Sequence, residues 1–144
     1  MRSEADFQRL SLFLARRTGD PDYAQTLAMD SLRWASGQEQ AGVDVPFGSL
    51  LAVSAGTAAA AIADRDKALA GQKSMAGIVA GLPREEREVL RLIYWDHLSM
   101  GELADFLNCT MARAGVLLHK AYRHAQRRAK RLGNDLESSP DEPY

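Results

Sequence analysis

Apolar residues recur three or four positions apart along most of the chain, with polar residues between them. This is the period of an amphipathic α-helix, and no segment shows the period of two that a half-buried β-strand would have. The predicted helices cover residues 4–18, 21–35, 47–70 and 74–81, and three more follow between residues 82 and 132. The pattern therefore predicts an all-α protein.

The stretch from residue 82 to residue 132 carries several signals for helix ends. Ser99 and Glu102 have the spacing of a capping box at the start of a short helix. Asn108 favours the left-handed conformation that ends such a helix, and Thr110 can cap the long helix that follows. A short capped helix, a tight turn and a longer helix indicate a helix-turn-helix.

The first half of the chain has joints of its own. Gly19 is suited to end the first helix, because glycine adopts left-handed backbone conformations without strain. Gly, Gln and Lys at positions 71–73 interrupt the apolar pattern and indicate a boundary. We therefore predict two small helical domains, at residues 1–71 and 74–132. Residues 133–144 are rich in acidic residues, Ser and Pro, and are predicted to be a disordered tail.

The composition is that of an ordinary globular protein, with 46% hydrophobic and 26% charged residues. Trp34 and Trp95 are expected to anchor the core. Cys109 is the single cysteine, so the chain has no internal disulfide and suits a reducing compartment. The sequence contains neither an apolar run of transmembrane length nor the apolar segment of a signal peptide. We expect a cytoplasmic protein that does not insert into membranes.

Charge is distributed unevenly, although the formal net charge is only −1. Residues 110–132 contain Arg and Lys but no Asp or Glu. Such a segregated basic segment favours contacts with phosphates, because each cation can displace a counterion from nucleic acid. Arg113 is the best candidate for reading a base, since a guanidinium can bond a guanine with two hydrogen bonds.

The sequence shows no arrangement typical of catalysis. It lacks a Ser-His-Asp set, a paired-carboxylate constellation and a phosphate-binding loop. The spacings of His97, Cys109, His119 and His124 match no zinc signature. We therefore expect neither an enzyme nor a protein with a cofactor or a bound metal.

Short motifs recur through the C-terminal half, and a further one covers residues 12–24. The C-terminal motifs are Leu82-Pro83, Arg87-Glu88-Val89-Leu90, Leu98-Ser99, Glu102-Leu103-Ala104, Leu107 and Leu118-His119-Lys120-Ala121. They resemble the promoter-reading domain of the extracytoplasmic-function (ECF) sigma factors, and residues 12–24 are similar to the opening of the core-polymerase-binding domain of that family. The resemblance implies that the chain binds RNA polymerase core with residues 1–71 and promoter DNA with residues 74–132.

The basic segment and this resemblance together supply the candidate site. The predicted DNA-binding residues are Thr110, Arg113, His119, Lys120, Arg123, Arg127 and Arg128. The predicted polymerase- or partner-binding residues are Asp30, Arg33 and Val116. Val116 is included because it lies outside the apolar stripe of its helix.

A second interpretation stays open, in which the chain is a sigma mimic. In the family, positions 26 and 29 usually hold residues that engage the polymerase clamp, but here they are Thr26 and Met29. Positions 115–117, where the family usually places Lys, Ser and Arg, hold Gly, Val and Leu. On this interpretation the chain keeps the shape of a sigma factor and binds an anti-sigma factor or another regulator without recognising a promoter.

Overall fold

The computed structural model describes residues 3–133, which form α-helices and contain no β-strand. In order, the helices are α1 (Glu4–Thr18), α2 (Pro21–Gln40), α3 (Phe47–Thr57), α4 (Ala59–Leu69), α5 (Met75–Ala80), α6 (Arg84–Tyr94), α7 (Met100–Leu107) and α8 (Met111–Arg131). The all-α prediction is confirmed. The acidic tail predicted at residues 133–144 lies outside the described residues, apart from Gly133.

The helix-turn-helix is formed by α7 and α8, and its ends are as the sequence predicts. Ser99 and Glu102 form both hydrogen bonds of a capping box at the start of α7. Asn108 ends that helix in the left-handed region with a φ of 53°. The Thr110 hydroxyl then accepts a hydrogen bond from the Arg113 backbone N–H at 3.1 Å and starts α8. These contacts satisfy N–H groups that would otherwise lack a partner at each helix start.

The predicted single helix at residues 47–70 is wrong. The segment forms two helices, α3 and α4, which meet at Ala58 and are bent by 77°. The Ser54 and Thr57 hydroxyls donate to carbonyl oxygens four residues back, a bonding pattern that often bends helices. The bend turns α4 back toward α1, so that its buried Asp66 reaches α6.

The main core joins the two halves of the chain. It contains buried residues of α1–α4 together with residues of α6, α7 and the first turns of α8. A smaller core lies between α5, α6 and α8. Gly48 allows α3 to lie directly on α7, because a Cβ atom there would be only 2.9 Å from the backbone N of Phe106. The division into units at 1–71 and 74–132 stays a prediction, and the structure shows that these segments share a core.

The two tryptophans differ in their environment. Trp95 is 1% exposed and lies in the core, as expected, whereas Trp34 is 42% exposed, and its predicted inward position is wrong. The buried stripe of α2 runs through Ala24, Ala28 and Ala35 instead. These small side chains allow α2 to approach its neighbours closely and leave the bulky indole on the outside.

Buried ion pairs also cross between the halves. Arg17 of α1 is 1% exposed and contacts Glu88 at 2.6 Å and Asp96 at 2.8 Å. Asp66 of α4 pairs with Arg91 of α6 at 2.7 Å. Burial raises the pKa of Asp96, because a carboxylate loses its hydration there, although Arg17 opposes the shift. The charges of each pair come from different halves, so separating the halves would leave buried charges unpaired.

Within residues 3–133 no single helix is long and apolar enough to cross a bilayer. The helices α3 and α4 reach that length and composition only as a pair, and they are sharply bent against each other.

Candidate nucleic-acid interface

One side of α8 is packed into the protein. Its buried residues pack against α5, α6 and α7, and they are Ala114, Leu117, Ala121, Ala125 and Ala129. The small alanine side chains bring the helix close to its supports. This packing fixes which side of α8 faces solvent.

The opposite side of α8 is basic. Arg113, Lys120, Arg123 and Arg127 are exposed and lie three, four or seven positions apart, which places them along one side of the helix. Exposed His119, Lys130 and Arg131 extend this side. We call the surface made by Arg113, His119, Lys120, Arg123, Arg127, Lys130 and Arg131 the basic face.

The part of the chain that the structure describes places no neutralising charge on the main cations of the basic face. No Asp or Glu occurs between residues 110 and 132. Within residues 3–133, no carboxylate forms an ion pair with Arg113, Lys120, Arg123 or Arg127. His124, by contrast, lies half-buried beside the face and contacts the Glu86 carboxylate of α6. A row of unpaired cations on one helix face can accept a row of phosphates.

Two predicted DNA-binding residues are placed differently from the others. Thr110 is exposed, but its hydroxyl is used as the cap of α8. Arg128 is half-buried and lies against Gly81, where an added Cβ would be 2.6 Å from the Arg128 Nη2 atom. Arg128 thus packs against the joint between α5 and α6 and does not lie on the basic face with Arg127.

The first turns of α8 are apolar apart from Arg113. Met111 is 60% exposed and Val116 is 58% exposed, and Gly115 between them carries no side chain. Leu117 is buried, so it is not available to a ligand. We call Met111, Ala112, Gly115 and Val116 the apolar tip of α8. In a helix-turn-helix, this end of the second helix is the part that contacts base edges.

Asp30 and Arg33 lie on a separate surface. Both are exposed on α2 and pair with each other at 3.3 Å. Exposed Trp34 is four residues from Asp30 and therefore lies on the same side of the helix. The helix α2 contacts α1 and α3 and does not contact α8, so the structure separates this surface from the basic face.

Several contributors to these surfaces are not among the residues predicted from the sequence. Lys130 and Arg131 were absent from the candidate set, although their spacing from Arg127 could have placed them on the basic face. Met111 is also not among the predicted site residues, although its position at the start of α8 could have indicated that it is exposed there. No group of three or more His, Cys, Asp or Glu residues within 3–133 is arranged to hold a metal ion.

The geometry of α7 and α8 defines a class of protein. A capped helix, a left-handed turn and a supported helix with an exposed basic side are the parts of a DNA-binding helix-turn-helix. The family model described as "Sigma-70, region 4" matches residues 73–124, which run from just before α5 into α8. This part of the chain is therefore similar to sigma-70 region 4, in agreement with the C-terminal motifs. No curated protein and no solved structure matches the chain.

The match indicates the kind of domain that residues 73–124 form and a DNA-binding role for it. Sigma-70 region 4 is a DNA-binding regulatory domain of transcription and not an enzyme family. The matched segment ends at His124, so the basic face continues beyond it through Arg127, Lys130 and Arg131.

Proposed function

We propose that the protein is an ECF sigma-factor-like regulator of transcription initiation that acts in the cytoplasm. It binds promoter DNA through α7 and α8 and joins RNA polymerase core. The observation that carries the proposal is the basic face, a continuous set of exposed cations on the recognition helix of a region 4 domain.

Phosphate contacts supply the affinity in this proposal. Lys120, Arg123 and Arg127 lie on the exposed side of α8, whose other side is held by α5, α6 and α7. A helix held in this way presents its cations in a fixed register to the DNA backbone. Each phosphate neutralised releases a counterion, so binding weakens steeply as salt rises. Arg113 is nearer the start of α8 and is the proposed reader of a guanine.

Polymerase binding is assigned to the α2 surface around Asp30 and Arg33. The family resemblance of residues 12–24 supports a polymerase-binding role for the segment 1–71. Promoter melting is not part of the proposal, because α3 is packed on α7 through Gly48 and buries Leu50 and Leu51. We propose instead that residues 1–71 and 74–132 act as one packed unit.

A second candidate function is that of a sigma mimic that binds an anti-sigma factor. Exposed Met111 and Val116 favour it, because apolar side chains at the tip of a recognition helix suit a protein contact. The packing of α3 against α7 also favours it, since a decoy needs the shape of a sigma factor and not its DNA chemistry.

One experiment separates the two functions. The full chain is tested for retention by RNA polymerase core and by candidate anti-sigma proteins, and its binding to promoter DNA is titrated with salt. Polymerase retention together with sequence-selective DNA binding supports the sigma-like function. Retention by an anti-sigma protein without either of these supports the mimic and refutes the first proposal.

A charge reversal tests the basic face directly. Arg123→Glu with Arg127→Glu should lower DNA affinity and reduce the steepness of the log K against log salt plot by about 2, at about 0.9 per phosphate contact. The matched control is Lys67→Glu with Arg84→Glu, which changes net charge equally at exposed positions outside α8. If the two double variants have equal salt slopes, the basic face does not contact phosphates.

A further inference from the structure

We propose that the apolar tip of α8 reads thymine, by contact of Val116 with the 5-methyl group in the major groove. This inference rests on the proposed DNA-binding function and adds the chemistry by which the domain selects a base. Its starting point is that Met111, Ala112 and Val116 are all exposed where a recognition helix meets base edges. None of these side chains can form a hydrogen bond.

Thymine is the base that such a surface fits. In the major groove of B-DNA, the thymine methyl is the apolar group, and the other groups are hydrogen-bond donors and acceptors. An apolar side chain placed against a donor or acceptor would remove its water without replacing the bond. Against the methyl group, both partners lose contact with water and neither loses a hydrogen bond.

Gly115 allows the approach to be close. A Cβ atom at this position would have only the Met100 Cε atom within 4.0 Å, so the surface beside Val116 is open rather than filled. The backbone there can approach the floor of the groove. Val116 and Met111 therefore project on either side of a flat strip of helix.

The surroundings favour DNA over a protein as the occupant. The tip consists of four residues, whereas a stable protein interface uses about 20–30 residues on each side. Arg113, His119 and Lys120 border the tip, and the helix carries no acidic residue. Positive charge around a small apolar patch complements a groove lined by phosphates.

The spacing of Arg113 and Val116 along α8 predicts how far apart the two base pairs that they contact lie on the DNA. Three residues of α-helix rise by about 4.5 Å, which is close to the roughly 3.4 Å between successive bases of one strand. We therefore expect the guanine read by Arg113 and the thymine read by Val116 to lie on adjacent or next-adjacent base pairs.

The test removes the methyl group alone. The full chain is used to select a binding duplex from a randomised double-stranded pool, and each thymine of that duplex is replaced in turn by deoxyuridine. Loss of one buried methyl group should weaken binding by about fourfold, from the contribution of a buried CH₂ group. We expect this loss at one or two thymines, next to a guanine whose replacement is also costly.

Variants identify the side chain responsible. Val116→Ala should bind the thymine and deoxyuridine duplexes almost equally, because the contact with the methyl is absent in both. Val53→Ala, the same change at an exposed position of α3, should keep the fourfold preference. Thermal unfolding of both variants checks that the substitutions leave the fold intact.

The outcomes separate this inference from the function on which it rests. Selective, salt-dependent binding that is insensitive to every deoxyuridine replacement would refute thymine reading and leave the DNA-binding proposal standing. Equal thymine preference in Val116→Ala and wild type would also refute the role of Val116. Failure to select any sequence, together with capture of an anti-sigma protein that Val116→Asp abolishes, would refute both and identify the tip as a protein contact.

Discussion

Replacing Arg17 tests whether the two halves of the chain are joined by buried charge. Its guanidinium contacts Glu88 and Asp96 and lies over the Phe13 ring, 3.8 Å from the ring centroid. The variant Arg17→Met keeps much of the apolar volume and removes the charge. Asp96 would then remain buried, paired only with Arg16 at 3.4 Å. The substitution therefore leaves both Asp96 and Glu88 without their contact to Arg17.

The expected loss of stability is large. Removing one partner of a buried ion pair typically costs about 3–5 kcal/mol, because the remaining charge is uncompensated. Arg16 can compensate in part, so we expect about 3 kcal/mol. With the slopes usual for small proteins, of roughly 1–3 kcal/mol per molar urea, the midpoint should fall by at least about 1 M.

Arg33→Met is the matched control in a urea unfolding experiment. Arg33 also pairs with an aspartate, but its side chain is largely exposed, and exposed pairs contribute about 0–1 kcal/mol. The midpoint of this variant should hardly change. The reasoning is refuted if Arg17→Met and Arg33→Met lower the midpoint equally, because Arg17 would then not hold the halves together in a buried network.

Further measurements test the contact between α3 and α7 and the cap of α7. Gly48→Ala should destabilise the protein by about 1–3 kcal/mol, because the added methyl group would overlap with α7. Gly56→Ala is the control, since an added Cβ there has nothing within 4 Å, and it should stabilise the protein by about 0.4–1 kcal/mol. Urea midpoints of the two variants that shift in the same direction would contradict this prediction. Hydrogen bonding to Arg9 lowers the pKa of Glu102 below its ordinary value of 4.5. Because the folded state holds this carboxylate ionised, its contribution to stability is complete above that value and is lost as the pH falls through the lowered pKa. Glu102→Gln should therefore weaken the dependence of stability on pH below about 4.5, and an unchanged acid profile would show that the pair does not form.

Much of the helix-turn-helix could be predicted because its signals are local. Ser99, Glu102, Asn108 and Thr110 each act within a few residues of their own position, through caps and a left-handed turn. The basic face could also be predicted, since helical spacing alone puts Lys120, Arg123 and Arg127 on the same side. The C-terminal sigma-type motifs lie on or directly before α6, α7 and α8, within the segment that the family model matches, whereas the resemblance of residues 12–24 stays a prediction.

The interruption at Ala58 and the exposure of Trp34 could not be predicted in this way. Both depend on how closely α2 and α4 approach α1, and the helical period of either segment is compatible with more than one buried stripe. The apolar residues of segment 47–70 are compatible with one continuous helix and equally with two helices at an angle to each other. The bend is favoured by contacts that bring Asp66 to Arg91 across many residues of chain.

The sequence by itself determined that the protein is helical, where the recognition helix starts, and that its exposed side is basic. Periodicity, caps and charge need no knowledge of distant residues. The tertiary structure alone decided that the halves share a core, that Arg128 turns to the α5–α6 joint, and that Val116 projects while Leu117 is buried. The physical reason is that burial belongs to a residue's neighbours in space, and those come from other helices.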